Sequence, residues 1–136
     1  MLISRPTRHT LTHTSSYSQF QISDGVAGNA EAEANAVFIE PFANVDLSSV
    51  SSDVLSAIQN MREAAESAET DQFDPQIDAA SGADADALQV GKIKNKVLKL
   101  TGEVQVINIK VRTPSCCREY VNADSCLKDC PGKGQG

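Results

Sequence analysis

An all-α fold, a small bundle of three to four helices with disordered N- and C-terminal tails, is what this sequence predicts. Three observations carry it: two rows of apolar residues at helical spacing, a capping residue or proline at the predicted helix boundaries, and no long apolar/polar alternation of the kind a half-buried strand shows. With 136 residues there is room for one domain at most.

The first element is read from SDGVAGNAEAEANAVF, in which Ser23 or Asp24 can cap a short helix with Val26, Ala30, Ala34 and Val37 on one stripe and Pro41 closing it. The second has fuller grammar. Ser51 can cap, Asp53 falls in the first turn, and Val50 and Leu55 are spaced as a hydrophobic staple. Val54, Ile58, Met61, Ala65 and Ala68 then recur at steps of 4, 3, 4 and 3, one face of a helix running to about Ala68. AETDQ reads as an acidic link, after which Asp74 before Pro75 reads as the N-cap of a third, short helix that breaks near Ser81 and Gly82. The last segment has the strongest periodicity: Val90, Ile93, Val97, Leu100, Val104, Ile107 and Val111 alternate steps of three and four. VQVINIKV, rich in β-branched residues, could instead be a strand, but the heptad runs unbroken from Val90 while the alternation slips at Val106 and Ile107, so helix is predicted.

The ends differ from this body. Residues 1–20, MLISRPTRHTLTHTSSYSQF, have two arginines, no acid, no apolar periodicity and no apolar run fit for a secretory signal, and are read as a disordered or wrongly assigned start, with an organelle transit peptide as the competing reading. Residues 21–111 form the acidic helical domain, holding 15 acids against six bases. Residues 112–136 carry all four cysteines and no periodicity, and are read as a disordered tail. A body this acidic repels nucleic-acid phosphates and anionic lipid, so neither is expected as a partner. No run approaches the roughly 18 apolar residues of a membrane span.

Taken in order, QISDG with its Ala-Glu-rich continuation, DLSSVSSDVL, FDPQID and ADALQVGKIKNKVLKL resemble a family of small secreted proteins of ascomycete fungi. The resemblance covers residues of about 20 to 111 and implies an exported, largely helical protein of unknown molecular function, with no functional residue to carry over. Family members would have an apolar signal peptide before QISDG and a polar, helix-compatible continuation after the last heptad. Both are missing here, which predicts misassigned ends, with Val111-Arg112 encoded at a sequence resembling a fungal intron start.

Chemistry is sparse. Residues 21–111 contain no His, Cys, Tyr or Trp, which removes the usual nucleophile and base pairs and soft metal ligands, and no catalytic, cofactor-binding or metal residue is assigned. Asp71, Asp74, Asp78, Asp84 and Asp86 could form a carboxylate pair for hydrolysis, but they sit around helix starts, where capping and solvation explain them. They do not fit an EF-hand loop. Lys92, Lys94, Lys96 and Lys99 could make a basic face, yet beside an acidic segment they are expected to balance charge within the body. Cys116, Cys117, Cys126 and Cys130 do not have zinc spacing, leaving a redox or metal module in the tail as an alternative to incidental thiols.

The expected role is therefore non-enzymatic, acting by surface interaction, with a hydrolase or a cysteine module as the rivals. Leu98, Val106 and Ile109 lie on a second side of the last helix, and with the Val90–Val111 stripe assigned to the core, this side is predicted to bind an unknown protein partner or a second copy.

Overall fold

The computed structural model of this protein describes residues 15–113, and these are built from helices and turns alone. The order is α1 (Tyr17–Phe20), α2 (Ala30–Phe38), α3 (Ser52–Ala68), α4 (Asp74–Ala79) and α5 (Gly82–Arg112), with 3-10 turns at Glu40–Phe42 and Leu47–Ser49. The cysteines and the predicted tails, apart from residues 15–20, 112 and 113, lie outside the described residues.

The packed chain starts ahead of Gln21. Phe20 is buried, its ring edge-on to Tyr17 (centroids 5.5 Å apart) and to Phe38 (6.2 Å), so aromatic burial orders a segment whose composition looked featureless. The first long helix begins later than predicted, at Ala30. Ser23 and Asp24 do not cap it, because Gly25 and Gly28 at φ +76° and +94° take the chain through a loop in which the Asp24 carboxylate accepts from the Val26 N–H at 3.0 Å. Helix α2 ends at Phe38, and Pro41 sits in the following 3-10 turn.

Helix α3 follows its sequence grammar closely. Ser51 Oγ accepts from the Val54 N–H at 3.2 Å, and Ile58, Met61, Ala65 and Ala68 are all buried. The predicted break after Ala68 does not occur. Glu69–Phe73 form a π turn, and the helix continues directly into Asp74–Ala79, with Asp74 itself in the right-handed helical region, so it is no N-cap. Pro75 is tolerated because it falls in the first turn after this irregularity, where the missing N–H costs little. The chain reverses at Ala80 and Ser81, both extended, and Gly82 at φ +62° starts the 31-residue α5. By helical rise α5 is about 46 Å long.

Helices α2 and α3 both pack on α5. The core holds Phe20, Ala34, Phe38, Ile58, Met61, Ala65, Leu98, Val106 and Ile109. This corrects the reading of α5, whose two sides are interchanged relative to expectation. Leu98, Val106 and Ile109, predicted to await a partner, are 0%, 4% and 0% exposed, whereas Ile93, Leu100, Val104, Ile107 and Val111 of the stripe assigned to the core are 51–76% exposed. The reason is clearance. The inward face is Gly91, Asn95, Leu98, Gly102, Gln105 and Ile109, a row mixing small, amide and aliphatic residues. It lets α5 lie so close that a Cβ placed on Gly102 would stand 3.0 Å from the Phe38 ring and 3.3 Å from Arg62 Cβ. A row of β-branched residues would hold the helices further apart.

This geometry sets a test. Gly→Ala in an exposed helix interior gains up to about 1 kcal/mol from propensity. At position 102 the new methyl meets a fully buried ring and the base of a side chain, so an overpacking cost of about 1–3 kcal/mol should win. Gly102→Ala is expected to lower the thermal midpoint by several degrees while Ser67→Ala, exposed on α3, leaves it nearly unchanged. A more stable Gly102→Ala protein would refute the close approach.

Candidate interaction surface and its polar anchors

Two features of α5 stand out: an apolar seam facing solvent, and buried polar groups on the opposite side. The seam is the heptad row itself. On a helix, steps of three and four keep Val90, Ile93, Val97, Leu100, Val104, Ile107 and Val111 within one narrow stripe. Val97 is half-buried against the edge of the core, and the five residues named above carry the exposed part. Isolated exposed aliphatics are ordinary, but a continuous row over three heptads is a patch, and such patches mark interaction sites.

The opposite side is held by polar contacts to distant parts of the chain. Lys94 is 3% exposed, with its ammonium 2.7 Å from Asp24 Oδ1 and 2.6 Å from Glu33 Oε2. Burial pulls the Lys94 pKa down, but the two carboxylates outweigh it and hold the group above its ordinary value. The hydrogen bond from Lys94 holds the Asp24 carboxyl below its ordinary range, helped by the Val26 N–H. Asn95 is fully buried; its Nδ2 donates to the Ala65 carbonyl at 2.7 Å and its Oδ1 accepts from the Tyr17 hydroxyl at 2.8 Å. Ser23 Oγ donates to the Gly91 carbonyl at 2.9 Å. Together these tie residues 17–33 to one flank of α5.

Each lysine singled out in the sequence pairs within the body. Lys92 bonds Asp74, Lys94 bonds Asp24 and Glu33, and Lys96 and Lys99 share Glu69 at 3.2 and 3.1 Å. Burial pushes Glu69 up, yet Lys99 and Lys96 outweigh it and hold the carboxyl below its usual range. Of the acids considered for hydrolysis, Asp74 is taken by Lys92, and Asp71 meets the Thr70 hydroxyl. Among the described residues no group of three or more His, Cys, Asp or Glu is placed to hold a metal ion, and no helix is long and apolar enough to cross a membrane. A shallow depression of about 210 Å³ is lined by Leu55, Ser56, Gln59, Asn60 and Lys110.

Lys94, Asn95 and Gln105 look in the sequence like solvent-facing residues, yet all three are buried. A signal did exist. Gly91, Asn95, Leu98, Gly102, Gln105 and Ile109 recur at steps of 4, 3, 4, 3 and 4, a second helical row whose two glycines mark close packing.

A family profile describing a domain of unknown function, DUF8454, matches residues 11–125. The chain belongs to that family. The DUF8454 match begins ahead of Gln21 and runs past Val111, so it includes all the described residues that pack together and also Cys116 and Cys117. No curated protein and no solved structure matches the chain.

The Lys94 anchor has a pH signature. A depressed carboxyl pKa stabilises the fold fully above the ordinary value of 3.8, and the contribution is lost as pH falls through the lowered folded value. A raised lysine pKa works in the other direction, its contribution full below 10.5 and lost as pH rises through the raised value. Asp24→Asn is therefore expected to be less stable than the parent by a constant margin from about pH 5 to 9, with the margin closing in stronger acid. Lys94→Met should cost about 2 kcal/mol, below the range for fully buried pairs because Asp24 and Glu33 keep access to water, and Lys96→Met less than about 0.5. Urea titrations across pH check both. Equal costs at 94 and 96, or a margin for Asp24→Asn that grows in acid, would contradict the anchor.

Proposed function

We propose that this chain is a non-enzymatic, exported protein of fungal type that works by surface interaction, and that the solvent-facing seam of α5 is the surface it uses. The observation that carries the reading is the placement of a three-heptad apolar row on the outside of the longest helix, with five of its members more than half exposed. Keeping such a row in water forfeits about 25 cal/mol per Å² of apolar surface, a cost a small domain carries only if something covers it at work. The extracellular location rests on the resemblance of QISDG and ADALQVGKIKNKVLKL to small secreted proteins of ascomycetes.

The rival hydrolase has less support. Among the acids it would use, Asp74 is engaged by Lys92, and the depression beside α3 contains no carboxylate. A cysteine-dependent module in the tail would involve Cys116, Cys117, Cys126 and Cys130, outside the described residues.

A photo-reactive amino acid placed at Leu100 in the producing cells should give protein adducts that are absent when it is placed at Glu63, exposed on α3, and that disappear when Val104→Asp is added. Adducts independent of position would overturn the seam as the working surface. Turnover of an ester, glycoside, phosphate or peptide substrate that is lost in Asp71→Asn or Asp78→Asn would instead establish the hydrolase.

A further inference from the structure

Resting on the reading that the seam is a binding surface, we propose that its occupant is a second copy of this chain, joined through an antiparallel two-helix coiled coil in which Val97 of each α5 packs against Leu100 of the other. A strict heptad over three repeats is more than an apolar patch. It is fitted to a partner helix of equal length and pitch, since each side chain must enter a hole between four residues of the facing helix. Helix α5 is itself such a partner. Written as a heptad, its a positions are all valine and its d positions are isoleucine or leucine. A two-fold pairing of this row with itself closes after two copies.

Charge selects the orientation and the register. The residues flanking the seam are Lys96, Glu103 and Lys110 along one edge and, along the other, Thr101, Asn108 and Lys94, whose charge is turned inward to Asp24 and Glu33. In a parallel pair Lys96 would face Thr101, Glu103 would face Asn108 and Lys94 would face Gln89, with no charge pair gained. In an antiparallel pair the charged edges face each other. With Val97 opposite Leu100, Lys96 of each copy meets Glu103 of the other, twice over. Shifted by one heptad, with Leu100 opposite Val104, Glu103 meets Glu103 and Lys96 meets Lys110. With Val104 opposite Ile107, Glu103 would meet Lys110, but only Leu100, Val104, Ile107 and Val111 would then find partners in the row, whereas the first register also pairs Val90 with Ile107 and Ile93 with Val104.

The helix ends agree with that register. It brings the last turn of one α5, with Lys110 and Arg112, beside the first turns of the other, with Asp84 and Asp86. Antiparallel helix dipoles add to the attraction. The buried groups stay in place, and Lys96 exchanges Glu69, which keeps Lys99, for Glu103 of the second copy. The anchors of Lys94 and Asn95 face the core and the N-terminal segment, and the Lys96 side chain is half-exposed while it touches Glu69.

Sedimentation equilibrium of the full chain under reducing conditions, which keep the tail cysteines from linking copies, tests this. The parent should be a dimer, and Leu100→Glu a monomer with unchanged helical circular dichroism. Lys96→Glu and Glu103→Lys should each weaken association roughly tenfold, because each turns two attractions into two repulsions, and the two together should restore it. A parent chain that is monomeric at every concentration, a dimer that survives Leu100→Glu, or a double variant no better than the singles would each overturn the proposal. So would dimerisation only after truncation behind Thr113, which would make the tail the occupant. Seam-specific adducts with another protein, in a chain that sediments as a monomer, would sink the second copy and leave the binding surface standing. Loss of both would remove the two together.

Discussion

The fold depends on how closely α5 approaches Phe38 and α3. Gly102 leaves no side chain between the helix backbone and the Phe38 ring, and Gly91 does the same for Phe73, so α5 is laid down along its small-residue row. Once that row faces inward, the geometry of a helix puts the valines, isoleucines and leucine half a turn away, into water. The exposed seam follows from which side of the helix can come close enough for dispersion contacts to accumulate.

Close packing alone would leave the face poorly specified, because glycines carry no shape. Specification comes from polar groups that have only one satisfactory partner. Asn95 uses both ends of its amide, one on α3 and one on Tyr17, and a rotation of α5 that broke this pairing would leave a buried amide unsatisfied. Lys94 adds a charge that is solvated by the protein only in this arrangement. Among the described residues, the exposed part of the apolar row has no comparable partner.

Much of this architecture could be read in the sequence, and the parts that could not share a cause. Helix α3 was legible down to its cap because Ser51, Ile58, Met61 and Ala65 obey local rules. The π turn at Glu69–Phe73 was not, since the acidic, hydroxyl-bearing ETDQF looks like a link, and what holds it is tertiary: Glu69 meets two lysines of α5, and Phe73 fits over Gly91. On α5 the more hydrophobic row is the outer one and the row with the glycines is the inner one. Hydrophobicity reports which residues leave water readily; it does not report how near two backbones can come. Tyr17 and Phe20 were overlooked for a related reason, as two aromatics in a polar stretch have no period, although they reach Asn95 and Phe38.

The π turn has a further consequence, for the order in which the structure assembles. By carrying the chain from α3 into α4 without a break, it makes residues 52–112 one long helical hairpin, reversed only at Ala80 and Ser81, whose cross-hairpin side-chain bonds span 18 to 30 residues. The N-terminal arm is different: its contacts with α5 span 68 to 78 residues. Loop-closure entropy favours the hairpin first and the arm second. On that entropy difference, an opening of the arm costs the hairpin none of its own cross-helix bonds, so docking and release of the arm are expected to occur on a hairpin already formed.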